Sequence, residues 1–230
     1  MESVKKRSKA HQRYTTKDGR PCVGVTTALG MKAKPYLIPW ANKLGLDGID
    51  SSKYVDALAS VGTLIHLFVE CDVKGIKADT GDFTPNELEA AKSAFFKWKK
   101  WRTDNKFVLV ASELQLASDE FQYGGTIDLL GIINGRLTIA DIKTSKSVYE
   151  EQKTQVAAYK KLVVENKDKI VSLLPQGFEW HEPECRIIRI GRNENEGFDD
   201  TLVGAHEIHW RVFKACLDLY WADKALKNVG

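Results

Sequence analysis

The stretch GGTIDLLGIINGRLTIADIKTS, Gly124–Ser145, reads as two strands about one turn. Asn134-Gly135 between apolar runs is the strongest short hairpin signal, because both residue types accept the positive φ angles of a two-residue type I′ turn. With Ile133 and Arg136 closing that turn, Asp128 falls directly opposite Asp141. If the closing pair is hydrogen-bonded, this pair is not, and its Cβ atoms approach to about 4.5–5.5 Å. Two bare carboxylates there repel by roughly 3 kcal/mol at an effective dielectric of about 20. Lys143 shares the face of Asp141, since side chains alternate along a strand. Glu113, in LVASELQLAS on the preceding strand, is within reach of the same face. Carboxylates gathered around one lysine suit a hard cation, Mg²⁺ or Mn²⁺. The bland alternative is an exposed strand end with solvated charges, and a one-residue bulge would spoil the register.

Working outward, the periodicity predicts strands at 107–117, 121–133, 136–144 and 185–192. Helices are expected over 53–73, from Pro85 behind a Thr84 cap with Glu87 three residues on, over 148–165 and over 205–227. PYLIPWANKLG (35–45) suggests a short helix broken around Pro39, and NENEGFDD (193–200) a polar loop. The fold class is α/β in a single domain, a mostly antiparallel central sheet flanked by helices. It divides into a basic arm (1–20), a helical elaboration (35–105), a sheet core (107–192) and a C-terminal helix (205–227).

Hydrophobic residues make up 43% and charged residues 28% of the 230, ordinary values for a globular chain. No apolar run approaches the roughly 20 residues of a membrane helix, and the N-terminus lacks the apolar stretch of a secretory signal. Four scattered cysteines without a C-x-x-C pair suit a reducing cytoplasm, bacterial or in a phage-infected host. The net charge of +3 divides unevenly. Residues 1–20 hold seven Lys/Arg against Glu2 and Asp18, an arm suited to a polyanion or simply solvated.

Residues 124–145 resemble the core of the PD-(D/E)xK nuclease superfamily: an Asp, a hairpin, then Asp-x-Lys. The superfamily's Pro is missing; Gly125 to Asp128 has the G-x-x-D form of the RecB-like branch. VGTLIHLFVE (61–70) is similar to that branch's G-x-x-x-H motif, and QVAAY (155–159) to its Q-x-x-x-Y motif. Residues 23–45 resemble the N-terminal segment of phage exonucleases and the mitochondrial genome maintenance exonuclease. The resemblance covers roughly residues 22–165 and implies a restriction-endonuclease-like core.

It further implies that Asp128, Asp141, the carbonyl of Ile142 and His66 ligate the metal, and that Lys143 orients the attacking water. Gln155 and Tyr159 belong near Lys143 or the substrate, and Glu70 is placed to orient His66. The implied activity is a metal-dependent DNA exonuclease acting on single-stranded or frayed ends in recombination, repair or replication. A catalytically silent nucleic-acid-binding subunit and a restriction-type endonuclease are the alternatives. AFFKWKKWR (94–102) reads as core plus a solvated basic face rather than a base-stacking surface, and His206 and His209 as structural.

Overall fold

The computed structural model describes residues 3–4 and 13–229. Half of the predicted basic arm, with Lys5, Lys6, Arg7 and Lys9, lies outside the described residues. The elements run β1 (Ser3–Val4), β2 (Tyr14–Thr15), β3 (Pro21–Gly24), α1 (Val25–Leu29), α2 (Leu37–Leu46), α3 (Ser51–Lys74), β4 (Lys77–Ala78) and α4 (Pro85–Asp104). There follow β5 (Val108–Ala117), β6 (Tyr123–Ile133), β7 (Arg136–Lys143), α5 (Glu150–Glu165), α6 (Lys167–Val171), β8 (Glu184–Ile190), β9 (Phe198–Leu202) and α7 (His206–Leu226).

Asn134 and Gly135 take φ of 49° and 76°, and Ile133 pairs with Arg136, as the dipeptide predicts. α4 starts on a full capping box, Thr84 and Glu87 each satisfying the other's backbone amide, with Pro85 in the first turn. Asp50 caps α3 by accepting from the amides of Ser52 and Lys53, and Gly75 ends it in the left-handed region. Pro39 does not break α2. It is the helix's third residue, where an N–H has no acceptor within the helix, so its absence costs nothing.

Seven strands form one sheet in the order β2-β3-β6-β7-β8-β9, with β5 also on β6. The β3–β6 and β7–β8 pairs are parallel and the other four antiparallel. This is a mixed α/β fold with a mostly antiparallel open sheet. One face packs on α1, α5 and α7, the other on α3 and α4. β7 and β8 are buried on both sides: Leu137, Ile139 and Ile187 join the first core; Ala140, Ile142 and Ile188 join the second. That explains their near-continuous apolar runs.

The predicted loop at 193–200 is corrected: its end begins β9, antiparallel to β8. FDDTL carries little strand signal of its own. It is held by β8's charges, with Arg189 on Asp199 and Arg186 on Asp200. The sheet core also draws β2 and β3 from residues before the helical elaboration.

α3 also bears on the reading of apolar runs. Among the described residues it is the one helix long and apolar enough, by length and composition, to cross a membrane. Leu64, Ile65, Leu67 and Val69 of that helix are instead buried in the second core.

Candidate active site at a fork in the sheet

β6 carries β5 along one edge, from Gly124 to Ile132. Its other edge is shared, by β3 at Tyr123 and Gly124 and by β7 from Leu129 to Ile133. Between these two partners the sheet forks, and Asp128 is the first residue past the β7 ladder. The predicted register holds up to Leu129–Ala140, one pair short of Asp128–Asp141. There the strands part, and Asp128 Oδ2 accepts a hydrogen bond from the Ile142 amide at 2.9 Å.

His66 is brought to the same carboxylate by α3, with Nδ1 3.7 Å from Asp128 Oδ2. The close approach is made by Gly62, one turn earlier. A Cβ there would lie 2.7 Å from Thr144 Oγ1, so glycine lets α3 sit this tightly on the end of β7 without displacing that hydroxyl. An interior helix glycine costs roughly 1 kcal/mol against alanine, which the contact offsets.

Asp141 is 1% exposed, and Lys143 Nζ sits 2.5 Å from its Oδ2. Burial alone would lower the lysine pKa, but the charges of Asp141 and then Asp128 outweigh it and raise the pKa above the ordinary value. Lys143 is therefore cationic at neutral pH. Its contribution to stability is fully present below the unfolded lysine pKa of about 10.4 and is lost only as pH rises through the raised folded value.

Gln155 and Tyr159 meet here as well. Gln155 Nε2 donates to the Tyr159 hydroxyl at 2.7 Å. Burial first, then the fields of Asp141 and Asp128, push the phenol well above its usual pKa. Tyr159 is thus a neutral group beside both acids. Its ring fits because residue 125 is glycine, where a Cβ would lie 2.5 Å from the ring. Gly124 makes the same room for Tyr14, whose hydroxyl lies 2.9 Å from Thr126 Oγ1. Sequence reasoning missed Tyr14 and Thr126. The signal available was the glycine pair inside a strand, which marks close approach of another group.

Glu113 lies between the register pairs Ser112–Leu129 and Leu114–Ile127, hence opposite Asp128. Its charge also reaches Tyr14, whose pKa rises through burial first and Glu113 last among the causes. It is the only described non-glycine residue with positive φ (50°) inside a strand. Across from it the alternation of β6 fails, with Ile127 in the first core and Leu129 in the second. A left-handed non-glycine costs about 1–2 kcal/mol, strain of the kind retained at functional sites. Glu113→Gly is therefore expected to hold or raise the melting temperature while lowering activity. A loss of stability with unchanged activity, by calorimetry and assay, would make Glu113 a purely structural residue.

Among the described residues, no group of three or more His, Cys, Asp or Glu side chains stands close enough to hold a metal ion as placed. The expected ligands are brought to one place but not closed on a common point. Asp141 is turned to Lys143, and Asp128 to the Ile142 amide. Glu70 is buried and pairs with Lys74 at 2.7 Å. Three basic residues of α4 have partners of their own: Lys97 donates to the carbonyls of Asn193 and Gly197, Lys100 pairs with Asp104 and Arg102 with Asp72. Trp98 and Trp101 are core, as the helix face predicts. His209 has Glu150 Oε2 at 3.8 Å.

No protein-family model matches the chain, and no curated protein matches it.

Proposed function

We propose that this chain is a metal-dependent deoxyribonuclease with a PD-(D/E)xK core, an end-dependent exonuclease of the RecB-like kind. One observation carries the reading: Asp128, Asp141, Lys143 and His66 come from three elements to one fork in the sheet. The donor set fits a hard divalent cation, since two carboxylates and an imidazole are gathered beside a half-buried lysine. Asp128, Asp141 and His66 would hold Mg²⁺ or Mn²⁺, which supplies Lewis-acid stabilisation of a phosphodiester. Lys143, fixed by Asp141, orients water and offsets charge on the phosphate. Tyr159, neutral and buried, is a donor beside the acids.

The end requirement rests on α2 and α3. The helix that delivers His66 also carries Tyr54, twelve residues or about 18 Å away along its axis. Tyr54 and Trp40 are exposed with ring centroids 6.3 Å apart, and Tyr36 is more exposed still. With Lys32 and Lys43 nearby in sequence, these rings suit the bases and phosphates of a single strand.

The test compares linear single-stranded, blunt duplex and covalently closed circular DNA under one metal condition. Linear single strands should be degraded fastest and circles spared. Nicking of circles at the rate of linear DNA would favour a restriction-type endonuclease, and no cleavage of any substrate a silent binding subunit. Work on DNA ends in recombination, repair or replication is the setting this activity suits.

A further inference from the structure

α7 buries Phe213, Cys216 and Leu217 in the first core, yet a second apolar row runs along its outer side. Ile208, Val212, Ala215, Leu219, Ala222 and Leu226 follow one another at spacings of four and three residues. All six are exposed, Ile208 by 62%, Leu219 by 52% and Leu226 by 73%. A 4-3 repeat sustained over nearly three heptads is the seam of a helix that packs along another helix. Nothing in the core requires it, because the core face of α7 is already supplied by other positions.

We propose that this seam pairs with the same helix of a second copy of the chain, antiparallel, to form a two-fold dimer. The flanking charges select both the occupant and its direction. Taking Val212, Leu219 and Leu226 as one seam position, the residues beside them on the open side are Arg211 and Asp218, both exposed. In a parallel pair, Asp218 would face Asp223 of the second copy on both sides of the seam; Lys214 and Lys227 of their own helix already hold these acids, and no opposite charge would be met across the seam. An antiparallel copy, about a two-fold near the middle of the helix, turns Arg211 toward Asp218 of the second copy. Symmetry repeats that contact, so one helix supplies both halves of a complementary pair. The seam also alternates large and small residues, Val212 and Leu219 about Ala215, which lets two backbones approach closely.

A single helix pair is a small interface, so association should be weak, on the order of micromolar. The test is sedimentation equilibrium of the full chain from about 1 to 100 μM. The expected result is a monomer–dimer equilibrium that Leu219→Glu shifts to monomer. Because these side chains are exposed, the variant should keep the wild-type melting curve, which serves as the folding control. Arg211→Asp and Asp218→Arg should each weaken the dimer at least tenfold, and the double exchange should restore it. Monomer throughout for the wild type would overturn the proposal, as would a dimer indifferent to Leu219→Glu. Failure of the double exchange to restore association would overturn the antiparallel arrangement.

Discussion

Lys143→Ala and Asp141→Ala are each expected to lower DNA cleavage by more than about a hundredfold. In the proposed nuclease, the positioning of water and the neutralisation of phosphate charge supply several kcal/mol of barrier reduction, and each tenfold of rate corresponds to about 1.4 kcal/mol. The tertiary structure adds a cost that the hairpin alone did not reveal. Asp141 is 1% exposed with Lys143 at 2.5 Å, so removing the lysine leaves a buried carboxylate without this cation. Breaking a buried pair costs about 3–5 kcal/mol, a large part of the roughly 5–15 kcal/mol that holds a domain folded. The alanine variants should therefore fold with lower urea midpoints, and activity must be compared at a temperature where circular dichroism shows them native. Lys143→Met keeps the aliphatic stem and should still lose cleavage. A folded variant of either residue with near-normal turnover would remove that residue from the site.

Chelation is the second large effect. Cleavage should vanish in EDTA and return with Mg²⁺ or Mn²⁺, whereas Ca²⁺ should bind and support turnover poorly. The reason is geometric: Ca²⁺ takes the same oxygens at about 2.3–2.6 Å in looser coordination, against about 2.0–2.1 Å for Mg²⁺. A readout independent of activity is available. A cation that binds only the folded chain raises the melting temperature by mass action, and Mn²⁺ should do so in a concentration-dependent way. Asp128→Asn, which keeps the shape but removes the charge at the fork, should abolish that rise. Full activity in excess chelator, or a Mn²⁺-induced shift unchanged in Asp128→Asn, would sink the metal site drawn here.

The hairpin was legible because its determinants are local. Asn134 and Gly135 can turn the chain in a way few other dipeptides can, and a two-residue turn leaves no freedom in register up to Leu129–Ala140. The same holds for the cap at Thr84 and for the alternation that puts Lys143 beside Asp141. What the chain could not announce locally is the fork. β6 exchanges β7 for β3 along one edge, and β3 arrives from a hundred residues earlier. That exchange takes Asp128 off the ladder, gives its carboxylate the Ile142 amide, and exposes it to His66 from the helix on the other face.

Polar strand β9 and the break in alternation at Glu113 belong to the same class of features. Each depends on what lies alongside: Arg186 and Arg189 on β8 in one case, the irregular pairing of β5 with β6 in the other. The sequence by itself determined the turns, the caps, the buried faces and the spacing of the acidic and basic residues, because backbone sterics and side-chain periodicity act over a few residues. Only the tertiary structure decided which strand edges meet and how far they part. Those edges are set by long-range packing through Gly62, Gly124 and Gly125, where the absence of a Cβ lets Thr144, Tyr14 and Tyr159 close around the site.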